Sequence, residues 1–182
     1  MPGSNGPAAL CRGARGEGYL PDIFGTTPDM KILFVCTGNT CRSPMAAARF
    51  RQLAAAAGLR NLDVQSAGVA AVPGTPVTPQ ARFALFQQGI TLPETAVSHA
   101  LTPDLVRDAD FIVTMTRSHR QSVISRYPEA LGKTRTLLSY AGTDADVDDP
   151  FGGDSELYVT CLAAMEPGLT ALLQQLQKGT PS

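Results

Sequence analysis

The sequence predicts an α/β domain built on a mostly parallel sheet, and three observations carry that reading. Short β-prone runs alternate with helical patterns along the chain, as strands joined by crossover helices do. The first run, Ile32-Leu33-Phe34-Val35, is continuously apolar, as a strand buried on both faces must be. Three helical stretches open on Ser43-Pro44, Thr78-Pro79 and Thr102-Pro103, each a capping hydroxyl followed by proline at the first helical position.

The elements follow in order. Residues 1–29 hold six Gly and four Pro, no apolar periodicity and no signal-peptide core, so they read as a flexible leader or non-native extension. Met30 directly precedes the first strand and reads as the natural start of a single domain over 30–182. The first strand ends at Cys36. A helix capped by Ser43 then carries Met45, Phe50 and Leu53 among alanines. Leu62 to Gln65 reads as the second strand, closed by Ser66-Ala67-Gly68 and a Pro/Gly-rich loop. Thr78-Pro79 opens a helix to about Gln88 that Gly89 ends, and Thr102-Pro103 opens a short one. Phe111-Ile112-Val113 is the third strand, and Thr134 to Leu138 a weaker fourth. The last helix begins near Tyr158, with Cys161, Leu162, Met165, Leu169, Leu172, Leu173 and Leu176 on the same face. Pro167-Gly168 predicts a kink or an interruption within it.

Composition narrows the function classes. The 182 residues suit one domain with a substantial core, and 43% hydrophobic against 17% charged residues is a globular balance. Lys and Arg number 15 against 16 Asp and Glu, which argues against nucleic acid or an anionic membrane as partner. No apolar run nears the roughly 18 residues of a membrane span. Cys11, Cys36, Cys41 and Cys161 have the spacing of neither a disulfide framework nor a zinc site, which points to the cytoplasm. The oligomeric state does not follow from the sequence.

The chemistry concentrates in Val35-Cys36-Thr37-Gly38-Asn39-Thr40-Cys41-Arg42-Ser43-Pro44. A short loop between a strand and a helix N-terminus turns backbone N–H groups onto an anion, with the helix dipole behind them. Thr37, Gly38, Asn39, Thr40, Cys41, Arg42 and Ser43 are the expected phosphate-binding residues. Gly38 is expected to supply the left-handed backbone, and Asn39 to tolerate it and tie the loop by its side chain. The same field predicts that Cys36, the expected nucleophile, has a pKa below the free value of about 8.5. Arg42 can grip two phosphoryl oxygens, and Ser43 can hydrogen-bond the sulfur. This chemistry requires no metal and no other cofactor.

That loop resembles the signature of the low-molecular-weight protein tyrosine phosphatase family. The likeness extends to Ser66-Ala67-Gly68, to Met115 after the third strand and to Asp149-Pro150 before the last helix, over about residues 31–178. It implies a four-stranded parallel sheet flanked by helices on both faces, with the active site at the strand C-termini. It also implies phosphorylated proteins as substrates and a phosphocysteine intermediate.

The reaction needs an acid for the leaving group and a base for the releasing water. Asp144, Asp146, Asp148 and Asp149 share one loop, and their spacing is not that of a calcium loop. Asp149 precedes Pro150, which fixes the backbone beside it. The resemblance assigns Asp149 both roles, with Asp148 as the alternative. Thr40 stands where tyrosine-directed members carry a larger aliphatic residue, and Phe151-Gly152-Gly153 replaces a pair of bulky aromatics. Both features look like the bacterial protein-arginine phosphatases, so Thr40 and Phe151 are the expected specificity residues; a tyrosine phosphatase is the alternative.

Cys41, five residues after Cys36, is either a redox guard that forms a disulfide with Cys36 or a small buried filler. Cys161 is expected in the core and Cys11 in the leader. The resemblance offers His99 as a brace for Asn39, although Ala100-Leu101-Thr102 is shorter than the common spacing. His119 is expected on a helix surface. Arsenate reduction would need more downstream cysteines than Cys161 alone. A non-catalytic phospho-residue binding module would not need nucleophile, arginine and acid together.

Overall fold

Four parallel strands form one sheet in the order β2-β1-β3-β4 in the computed structural model, which describes residues 30–179. β1 (Met30–Cys36) lies between β2 (Leu62–Gly68) and β3 (Phe111–Thr114), and β4 (Thr134–Thr136) closes the far edge. The expected leader over 1–29 lies outside the described residues. The register sets Cys36 beside Gly68 and Val35 beside Thr114, so the sheet delivers the ends of three strands to one edge.

The alternation of side chains along β1 divides two cores. Ile32, Phe34 and Cys36 face a core shared with α1 (Arg42–Ala56), α2 (Pro79–Gln87) and α5 (Ser155–Gly179), where Met45, Phe50, Leu85, Met165 and Leu169 are buried. Leu33 and Val35 face a smaller core with Val106 of α3 (Pro103–Asp108), Ile112 of β3 and Val123 of α4 (Arg117–Arg126). Helices therefore cover both faces, as the continuous apolar run requires. Each fully buried large side chain contributes about 1.5–3 kcal/mol.

Local chemistry sets most helix starts. Thr78 accepts from the Ala81 N–H at 3.3 Å, Thr102 from Leu105 at 3.3 Å and Thr116 from His119 at 3.1 Å. The first helix departs from this rule. Its N-cap is Cys41 without a side-chain cap, and Ser43 lies inside the first turn with its hydroxyl committed elsewhere.

Three boundaries and the predicted break at Pro167-Gly168 depart from the sequence reading. β2 runs on to Gly68 because it pairs with β1 along its whole length. β4 stops at Thr136, and Leu137–Ala141 forms a 3-10 turn that tucks Leu137 against α5. The last helix starts at Ser155, where the Asp154 carboxylate accepts from the Leu157 N–H at 3.0 Å; apolar periodicity does not register such a cap. Pro167-Gly168 does not interrupt it. Apolar residues on either side, from Leu162 to Leu176, hold the helix in the core, and that burial outweighs the roughly 3 kcal/mol a helical proline costs. Gly168 serves close approach: a Cβ there would lie 2.7 Å from the Leu137 carbonyl oxygen.

Candidate active site

The loop between β1 and α1 is shaped by what binds its carbonyls. Val69 N–H donates to Cys36 O at 2.9 Å, Ala70 N–H to Thr37 O at 3.0 Å and Thr78 N–H to Thr40 O at 3.0 Å. Met45 N–H donates to Cys41 O at 3.1 Å as the first helical bond of α1. In a trans peptide the C=O and N–H point to opposite sides. With those carbonyls drawn outward, the N–H groups of Thr37, Gly38, Cys41 and Arg42 turn to the inside of the loop, at the positive end of α1. Gly68 makes the outer clamp possible, since a Cβ there would collide with Thr37 O.

Asn39, and not Gly38, takes the left-handed turn, with φ of 55°. Its side chain offsets the strain. Nδ2 donates to Ser43 Oγ at 2.8 Å and to Ser66 Oγ at 2.9 Å, while Oδ1 accepts from the His99 backbone N–H at 2.7 Å. His99 thus reaches Asn39 through its main chain, where the family resemblance offers a histidine brace.

Cys36 lies buried at the floor. Its Sγ is 2.9 Å from Ser43 Oγ and accepts from the Asn39 N–H at 3.3 Å. Burial pushes the Cys36 thiol up from its ordinary value; the Ser43 hydroxyl and backbone, the Asn39 N–H and the Arg42 charge all pull it down without prevailing. The expectation of a lowered pKa is therefore corrected: the field is present, but desolvation wins in this site. Ser43 has one hydroxyl hydrogen and a second acceptor in Ala67 O at 3.3 Å. A Cys36 thiol can donate to Ser43 while Ser43 donates to Ala67, and a thiolate draws that hydrogen to itself.

Arg42 reaches across the loop. Its guanidinium donates to Asp149 Oδ2 at 2.6 Å and to Val147 O at 3.2 Å, with its side chain only 5% exposed against 50% for Asp149. The aspartate loop is pinned at Val147, whose N–H donates to Met115 O at 2.9 Å. Asp149 Oδ1 accepts from the Phe151 N–H at 3.2 Å. Asp146 instead caps α4 through the Arg117 N–H at 2.8 Å. A cavity of about 230 Å³ is lined by Cys36, Thr37, Gly38, Thr40, Cys41, Arg42, Asp149 and Phe151; Asp144, Asp146 and Asp148 do not line it.

Cys41 is buried, with its Sγ 3.3 Å from Tyr158 Oη and 3.5 Å from Thr40 Oγ1. Burial pushes the Tyr158 hydroxyl up to about 12, with the Cys41 contact adding to the rise. Cys161 lies in the core, and burial likewise raises its thiol to about 12. Cys36, Cys41 and Cys161 are free thiols. His119 corrects the expectation of a surface residue: it is buried, with Nε2 2.8 Å from Thr37 Oγ1. Burial, then the Arg42 charge, push its pKa down to about 4, against smaller opposing effects of Asp149 and Asp146. Helical periodicity gives no sign of it. Its position one turn after a strand that ends at the site is the available clue. Among the described residues, no cluster of His, Cys, Asp or Glu is placed to hold a metal ion, and no helix is long and apolar enough to cross a membrane.

A parallel sheet with a strand–loop–helix anion cradle and a cysteine on its floor defines a cysteine-based phosphatase scaffold. Residues 31–182 match the low molecular weight phosphotyrosine protein phosphatase family, and the chain belongs to that family. It is 45% identical to a protein-arginine-phosphatase of Bacillus subtilis (strain 168), over 82% of this chain and 98% of that one. A structure of a YwlE arginine phosphatase mutant with a phosphorylated active-site serine superposes with a TM-score of 0.78 at 44% identity, covering 82% of this chain and 97% of that chain. The low molecular weight protein-tyrosine-phosphatase PtpB of Staphylococcus epidermidis (strain ATCC 35984 / DSM 28319 / BCRC 17069 / CCUG 31568 / BM 3577 / RP62A) is 36% identical over 71% of this chain and 86% of its own length.

Proposed function

We propose that the protein hydrolyses phosphoarginine in proteins through a phosphocysteine intermediate. The observation that carries this reading is the convergence of Cys36, Arg42 and Asp149 on one cavity walled by Thr40 and a single aromatic, Phe151. The 45% identity to a protein-arginine-phosphatase supports the choice of substrate.

In the first step Cys36 loses its thiol proton to solvent and attacks phosphorus as the thiolate, its charge held by the Ser43 hydroxyl and the Asn39 N–H. The S–P bond forms, the P–N bond breaks, and Asp149 gives its proton to the departing guanidine nitrogen. Arg42 and the inward N–H groups take up the negative charge of the phosphoryl oxygens. Asp149 comes into its acid role by exchange. When phosphate claims the Arg42 guanidinium, Asp149 Oδ2 gives up that partner and is free to face the leaving nitrogen. In the second step the Asp149 carboxylate takes a proton from water, the O–P bond forms, the S–P bond breaks and phosphate leaves. Ser43 donates to the departing sulfur.

Thr40 is small and polar enough to leave room for a guanidinium, and Asp149 supplies the opposite charge beside it. Phe151 is 75% exposed, a single open wall rather than a slot for a phenol ring. Phosphorylated proteins are the partners in this reading. The three free thiols support a reducing compartment such as the cytoplasm. The test compares phosphate release from a phosphoarginine protein with that from a phosphotyrosine peptide. Phosphoarginine is the preferred substrate, and Cys36→Ser abolishes turnover while inorganic phosphate still binds. Preferred hydrolysis of phosphotyrosine overturns the substrate, and turnover by Cys36→Ser overturns the nucleophile.

A further inference from the structure

We propose that His119 is a positioning residue that holds the Thr37 hydroxyl as a hydrogen-bond donor into the phosphate cavity. The inference deepens the phosphatase reading and rests on it. Nothing in the chemistry described above uses His119, yet its ring is buried and its Nε2 lies 2.8 Å from Thr37 Oγ1.

The other ring nitrogen decides the direction of that bond. Nδ1 is buried and has no hydrogen-bond partner among the described residues. A neutral imidazole carries one N–H and one lone pair. The ring is neutral near pH 7, because burial and the Arg42 charge hold its pKa at about 4 against Asp149 and Asp146. Putting the hydrogen on Nδ1 would bury a donor without an acceptor. Putting it on Nε2 leaves only a lone pair unused, and an orphaned buried N–H is the rarer arrangement. Nε2–H therefore donates to Thr37 Oγ1.

The consequence falls on Thr37. With Oγ1 accepting from the ring, its own hydrogen cannot turn toward His119 and is left for another acceptor. Thr37 is exposed and lines the same cavity as Cys36, Arg42 and Asp149. The acceptors that a substrate brings there are phosphoryl oxygens. The hydroxyl is thus a preoriented donor to that group, added to the backbone N–H groups of the loop. The pair also ties α4 to the loop across 82 residues of sequence.

The test compares p-nitrophenyl phosphate turnover and inhibition by inorganic phosphate across variants. Thr37→Val is expected to weaken phosphate inhibition about tenfold, the size of one hydrogen bond to a charged group. His119→Phe should weaken it about threefold, since the freed rotor still donates part of the time. His119→Gln, which places an amide N–H near the position of Nε2, should stay close to wild type. In a Thr37→Val background, His119→Phe should add nothing. A Gln variant as impaired as Phe, or additive losses in the double variant, overturns the proposal. Histidine 15N NMR of the wild type needs no substitution: a proton on Nε2 is expected, and a proton on Nδ1 overturns the relay. A wild-type protein that releases no phosphate from any substrate would instead overturn the phosphatase reading, while the tautomer still decides the role of His119.

Discussion

Replacing Asn39 with alanine tests how the phosphate loop is held. The residue is buried at φ of 55° and makes three side-chain hydrogen bonds, to Ser43, Ser66 and the His99 N–H. Each bond is worth about 1 kcal/mol net, and an alanine in the left-handed region costs about 1 kcal/mol more. The expected destabilisation is about 4 kcal/mol. For a domain of this size, with a urea slope of about 2 kcal/mol per M, the midpoint falls by about 2 M. Asn39→Gly loses the same bonds without the strain, so it should unfold at a higher urea concentration than Asn39→Ala. Equilibrium urea unfolding followed by circular dichroism reads both. An alanine midpoint within about 0.5 M of wild type would refute the claim that this side chain holds the loop.

Ser43→Ala removes the largest influence that opposes burial at Cys36, so its thiol moves further up. The pH profile of iodoacetamide alkylation should shift to higher pH, and an unchanged profile argues against the Ser43 contact. Thr40→Ile should lose phosphoarginine turnover and keep or improve phosphotyrosine turnover; a parallel fall in both removes Thr40 as a specificity residue. Cys41→Ala should make peroxide inactivation irreversible, where wild type recovers with added thiol; equal recovery in the two proteins refutes a redox guard. The folded state refuses a proton at His119 that the unfolded chain accepts below about pH 6.5. Stability therefore falls as pH drops from 6.5 toward 4, and His119→Gln should flatten that fall in urea midpoints taken across the range.

Sequence alone determined what depends on neighbours in the chain. The apolar run of β1 dictates a strand covered on both faces, and Thr78 and Thr102 cap helices with their own hydroxyls. The loop residues Cys36 to Ser43 are contiguous, so the anion cradle was legible as a motif. Tertiary structure decided where a contact crosses the chain. Ser43 turns from capping α1 to the Cys36 sulfur, and Asn39 rather than Gly38 takes the strained backbone because Ser66 and His99 arrive to hold it. Asp149 meets Arg42 across 107 residues and His119 meets Thr37 across 82, distances over which no local pattern carries a signal. The Cys36 thiol shows the physical reason most directly. Its helix and its donors can be read from the sequence, but the burial that overrides them exists only once β1, α1 and α5 have packed around it.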